Sequence, residues 1–151
     1  MIDRPARDNL AERLRHLASG CATNYEFERG AVRSADPAIS EIEFRLAWPV
    51  YDDMHEHRLT DGNAITLGHR LDFARAILFL KTNLPYEWKG QTGICGFLNG
   101  IFRLIPFSRK NRLDTVTGDL RVWPFFTKND YSVALKQTPY LNGITHDVGK
   151  C

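Results

Sequence analysis

The chain has 151 residues, 20 Lys and Arg against 18 Asp and Glu, and a net charge of +2. That length fits one domain able to bury about 70% of its unfolded surface. So small a charge, with both signs intermixed along the chain, gives no electrostatic footprint for a nucleic-acid partner. Apolar residues at 43% and charged residues at 25% are ordinary for a globular protein.

Met1 to Arg15 is charged and helical in pattern and has no apolar h-region, so no signal peptide is expected. Cys21, Cys95 and Cys151 are odd in number, far apart and without CxxC spacing. That argues against a disulfide framework and a structural zinc site, and for a reducing, cytoplasmic setting.

The first helix is predicted from about Pro5 to Ser19. Leu10, Leu14 and Leu17 repeat at helical spacing, with Ala11 and Ala18 beside them, and Gly20 stands at C′. Thr23-Asn24-Tyr25-Glu26 reads as a capping box that opens a short second helix. Asp36-Pro37 starts a third, with an N-cap carboxylate and proline at N1. That helix is predicted to reach about His57, with a kink or split at Pro49.

Thr60-Asp61-Gly62-Asn63 is a turn, and Thr66 caps a helix over about Leu67 to Thr82. Leu71, Ala74 and Leu78 form its predicted inner stripe, widened by Ile77, Phe79 and Leu80. Residues 83–119 read as a Gly-rich, irregular connector. Within it, Ile94 to Phe107 is too short and interrupted for a membrane span, which needs about 20 apolar residues. Membrane-surface contact through it is the minor reading. Leu120-Arg121-Val122-Trp123 alternates as a short strand, ended by Pro124. Thr127 opens a last helix over about Lys128 to Gln137, and 138–151 is a loose tail. The expected fold is mostly α: a single-domain, irregular bundle of four or five helices with at most a short strand pair.

Chemistry concentrates in Tyr51-Asp52-Asp53-Met54-His55-Glu56-His57-Arg58. On one continuous helix, at about 100° per residue, Ile39, Ile42, Leu46 and Val50 share a stripe. Phe44, Trp48, Tyr51 and His55 share another, and Glu41, Arg45, Asp52 and Glu56 form a solvated face. His55 and His57 then point apart, unlike the paired imidazoles of HExxH. Asp52, His55 and Glu56 make a weak metal trio that lacks a further ligand. Asp53 and His57 continue the apolar stripe, where each needs a partner. They read as a structural pair, or one fixed by Arg75, and otherwise as a carboxylate-oriented general base or as residues exposed at a helix end.

No nucleophile elbow, P-loop or dinucleotide fingerprint is present, so no cofactor is expected. Gly90 to Gly96 lacks the lysine of a phosphate loop, and Cys95 reads as an inert thiol before a nucleophile. Trp88 and Trp123, with Tyr86, Phe125 and Phe126, fill a core or else line a ligand or partner face. The binding candidates are therefore Trp48, Tyr51, Arg75, Tyr86, Trp88 and Trp123.

Leu14 to Glu28 resembles the helix–Gly–capped-helix pattern of SHOCT domains. That resemblance implies an oligomerisation or anchoring element. More broadly, four groups of residues resemble a family of small bacterial proteins of uncharacterised activity. They are Leu17-Ala-Ser-Gly with Glu26-Phe27-Glu28; Ala47-Trp48 with Tyr51-Asp52-Asp53 and Arg58-Leu59-Thr60; Ile77 to Leu80 with Pro85 to Trp88; and Val122 to Phe125. It implies a bacterial cytoplasmic setting and no site. The favoured function is a non-enzymatic interaction or regulatory module with a protein partner, or a homo-oligomer. The alternatives are a small-molecule-binding protein or hydrolase using Asp53 and His57, and a peripheral membrane protein.

Overall fold

The computed structural model describes residues 1–88 and 118–137. Among them the chain forms five α-helices: α1 (Arg4–Ala18), α2 (Asn24–Arg29), α3 (Pro37–Ile42), α4 (Leu67–Lys81) and α5 (Lys128–Lys136). There is no strand among the described residues, only an isolated antiparallel bridge between Thr23 and Arg58. The mostly helical bundle read from the sequence is what forms. No helix among these residues is long and apolar enough to cross a membrane.

The helix starts follow the capping residues. Asp3 accepts from the Ala6 amide and Thr23 from the Glu26 amide, while Glu26 returns a bond to the Thr23 amide. Asp36, Thr66 and Thr127 cap α3, α4 and α5. Gly20 ends α1 with φ at 74°, and a Cβ there would collide with the Thr60 side chain, so glycine is required twice over.

α1 lies along α4 and buries Leu10, Ala11, Leu14 and Leu17. α4 answers with Phe73, Ala76, Leu78, Phe79 and Leu80. Leu71 and Ala74, expected inside, face solvent; the helix is rotated so that Phe73 and Phe79, its largest side chains, take the core. Phe79 meets Tyr86 and Phe125 edge to face, at 6.1 and 5.2 Å between centroids.

Arg7, on the buried face of α1, ties this packing together. It is fully buried with Asp36, its Nε 2.6 Å from Oδ2 and its Nη2 3.2 Å from Oδ1. Its Nη1 donates to the Leu84 carbonyl at 2.8 Å and the Thr82 carbonyl at 3.3 Å. One guanidinium thus joins the start of α3 to the chain leaving α4.

Three further expectations are corrected. α3 does not run to His57. Pro49 has no amide proton, and the helix unwinds ahead of it. Glu43–Ala47 forms a π turn in which the Trp48 amide reaches back to the Glu43 carbonyl, and Trp48–Val50 forms a 3-10 turn. The chain leaves Tyr51 extended, so residues 51–57 are a loop. Leu120–Val122 is a 3-10 turn and not a strand, because Asp119 accepts the Arg121 amide on its side chain and the Val122 amide on its carbonyl. Cys21 is disulfide-bonded, where the spacing argues against a disulfide framework.

Burial alone would raise the Asp36 carboxyl, but the Arg7 guanidinium and the amides of Asp3 and Ala38 outweigh it and hold it below the ordinary range. Its folded pKa is depressed, so its stabilisation is complete above the unfolded carboxylate value of about 3.9 and is lost as pH falls through the lower folded value. Arg7→Ala is expected to cost about 3–5 kcal/mol in urea unfolding, because it strands a buried carboxylate. Asp36→Asn should flatten the acid limb of stability below about pH 4, read from urea midpoints across pH.

Candidate functional site

The loop 51–57 is built around Asn24, a buried residue at the first position of α2. Its Nδ2 donates to the carbonyls of Asp52 at 2.8 Å and His55 at 3.1 Å, and its Oδ1 accepts the His57 amide at 2.8 Å. The Asn24 amide donates to the His57 carbonyl at 3.0 Å. The Tyr25 hydroxyl donates to the Asp53 carbonyl at 2.9 Å, and Thr23 Oγ1 donates to Glu56 at 2.7 Å. Asp52 accepts the amides of Met54 and His55; the Met54 amide first, and then the His55 ring, hold its carboxyl below the ordinary range.

This geometry dissolves the pairs that a continuous helix suggests. Asp53 is exposed, and no hydrogen bond joins it to His57 among the described residues. Both ring nitrogens of His57 face main-chain carbonyls, Nδ1 toward His55 at 3.2 Å and Nε2 toward Val50 at 3.1 Å. Both nitrogens are thus engaged by main chain, and neither is oriented by a carboxylate as a general base of the expected kind would be. Arg75 pairs with Asp72 and donates to the Trp123 carbonyl, far from this loop in its contacts. Glu56 is held by Thr23 while His55 turns to Asp52, and no three His, Cys, Asp or Glu side chains among the described residues converge on an ion position. Glu41, expected on a solvated face with Arg45, is buried although the ion pair forms, at 3.3 Å.

An open cleft of about 550 Å³ lies beside the loop, lined in part by His55, His57 and His69. A second, smaller and more apolar groove of about 290 Å³ lies between α2 and the π turn. Phe27 and Ala47 form its floor; Phe44, Trp48, Tyr51, Glu28 and Glu43 stand around it. Phe44 and Trp48 are 59% and 60% exposed, a large apolar area for two neighbouring side chains. Trp48 and Tyr51 lie parallel within 8°, with centroids 5.9 Å apart. The Tyr51 hydroxyl donates to Glu28 Oε2, and that bond to the carboxylate pushes the phenol up to about 12.

The remaining binding candidates are structural in their contacts. Trp123 is buried and its Nε1 donates to the Tyr86 hydroxyl at 3.2 Å. Trp88 donates to the Pro124 carbonyl at 3.0 Å and packs edge-on to Phe126. Leu84, Tyr86 and Trp88 alternate inward along an extended segment and rest on the core. Sequence reasoning therefore names Trp48 and Tyr51 of the groove and misses Phe44, Glu28 and Asn24. Phe44 carries the signal that could have found it, sharing a stripe with Trp48 four residues on. The Gly90–Gly96 and Ile94–Phe107 readings, with Cys95, fall outside the described residues.

Compared with protein-family models, with curated proteins and with solved structures, the chain matches none.

Two outcomes test the site geometry. Asn24→Ala removes the partners of three buried or part-buried main-chain groups and should destabilise the protein by about 1–3 kcal/mol, with amide exchange at His57 accelerating first. In ultraviolet titration, the difference between wild type and Tyr51→Phe should show a phenol ionising near pH 12, and Glu28→Gln should bring it down toward the ordinary value of about 10.

Proposed function

We propose that this chain is a non-enzymatic interaction module whose groove between α2 and the π turn docks a protein partner. One observation carries the reading: Phe44 and Trp48 stand side by side, more than half exposed, over a buried floor of Phe27 and Ala47. Burying two such rings against the core would be favourable by about 1.5–3 kcal/mol each, yet the fold leaves them outside. Aromatic side chains in a shallow pocket are the residue type that dominates partner interfaces. The π turn that presents them is also an irregularity found often at functional positions.

The hydrolase alternative has lost the Asp53–His57 geometry that motivated it. The SHOCT-like segment fits an interaction role as well, since in those domains it would serve assembly.

Phe44→Ala with Trp48→Ala should leave stability within about 0.5 kcal/mol of wild type, as for exposed positions. Affinity capture from a source proteome should retain a protein on wild type that the double variant loses. Equal retention by both, at unchanged stability, would remove the groove as the docking face.

A further inference from the structure

The chemistry of the groove narrows what it accepts. Among its lining residues are three exposed or half-buried aromatics and two carboxylates, Glu28 and Glu43, and no Lys or Arg. Ring faces and carboxylates both present negative potential, which a cation complements.

The inner edge of the same groove shows how such a set is satisfied. There Arg13 lays its guanidinium over the Phe27 ring, 4.1 Å from the centroid, and pairs with Glu43 at 2.8 Å. Phe27 and Glu43 both line the groove. The outer edge repeats the ingredients: the parallel rings of Trp48 and Tyr51, with Glu28 beside them. Glu28 Oε2 takes the Tyr51 hydroxyl, while Oε1 has no hydrogen-bond partner among the described residues. No cation stacks on Trp48 or Tyr51 among those residues, although four other aromatic rings carry an arginine.

We propose that the outer edge binds an arginine side chain of a peptide partner, stacked on the Trp48 ring that Tyr51 backs and paired with Glu28. This rests on the docking reading above and names the partner's chemistry. Arginine suits the site better than lysine because a planar guanidinium stacks on a ring face and pairs with a carboxylate in the same pose. An adjacent apolar residue of the peptide would cover Phe44.

The test is selection of a displayed random-peptide library on wild type, with counter-selection on Trp48→Ala. The enriched peptides should share an arginine next to an apolar residue. Replacing that arginine with citrulline should weaken binding about tenfold, as should Glu28→Gln in the protein, the loss expected for one charged hydrogen bond. Trp48→Leu, which keeps apolar bulk without a π face, should also weaken it. Thermal unfolding of each variant checks the fold, and Phe44→Ala supplies a second groove variant should Trp48→Ala fail it.

Trp48-dependent peptides without arginine would overturn the arginine assignment and leave the docking reading standing. No Trp48-dependent peptide would overturn the assignment as well, and the capture comparison then reports separately on docking. Wild type that is dimeric by native mass and becomes monomeric on Trp48→Ala would replace the peptide with a second copy of this chain.

Discussion

A single buried guanidinium sets the frame on which the other elements hang. Arg7 has no exposure, and its charge is matched by Asp36, itself nearly inaccessible. Such a pair gains little over an apolar pair of the same shape, because both ions lose their hydration. What it imposes is geometry. Asp36 also caps α3 through the Ala38 amide, so its position relative to α1 determines where α3 begins. Arg7 reaches the carbonyls of Thr82 and Leu84 as well, so the exit from α4 is registered against the same point. Arg4, one turn earlier, reinforces that exit through the Leu80 and Thr82 carbonyls. Late α4 carbonyls that lack amide partners are thereby satisfied by cations, the sign that the C-terminal end of a helix prefers.

The groove inherits its position from that frame. α3 is only six residues long, and buries Ile39 and Ile42 before the π turn begins. The wider turn keeps Leu46 and Ala47 inside while Phe44 and Trp48 remain outside, and Pro49 prevents the chain from returning to regular helix. A straight continuation would carry residues 51–57 along the helix axis. Instead they fold back on α2, where Asn24 satisfies their carbonyls. Tyr51 lies at the junction, one face toward Trp48 and its hydroxyl toward Glu28 on α2. The groove is thus braced from both sides, by the core beneath Phe27 and by the loop hub at Asn24.

Helix beginnings were legible in the sequence because their signals are local. Asp36-Pro37, the Thr23–Glu26 box, Thr66 and Thr127 each satisfy amides within their own turn, and each acts as a cap. What depended on tertiary contact was not legible. Alternation at Leu120–Trp123 yields to Asp119 capping, and the consecutive run Val122 to Phe125 is buried. The apolar surplus of α4 permits more than one inner face, and only packing against α1 selects Phe73 over Leu71. Cysteine spacing likewise says nothing about which chain segments approach Cys21. Within the site, Trp48 and Tyr51 could be nominated as aromatics, but exposure separates them from Trp88 and Trp123, and exposure is a property of the fold. Asp53 and His57 follow from a helical register that Pro49 cancels four residues before Asp53.

Arginine over an aromatic ring recurs through this molecule, and the instances form a series in burial. Arg7 over Phe79 is wholly interior; Arg13 over Phe27 is part-buried; Arg45 over Trp123 and Arg75 over Tyr131 lie nearer the surface. Each guanidinium has a carboxylate as well: Asp36, Glu43, Glu41 and Asp72. The combination is chemically economical, since the ring covers a face that water hydrates weakly while the carboxylate takes the edge donors. It lets these four arginines pack against the helices with their charge matched. The groove completes the series at its exposed end. Trp48, Tyr51 and Glu28 offer the ring and the carboxylate, and no cation among the described residues stacks on them.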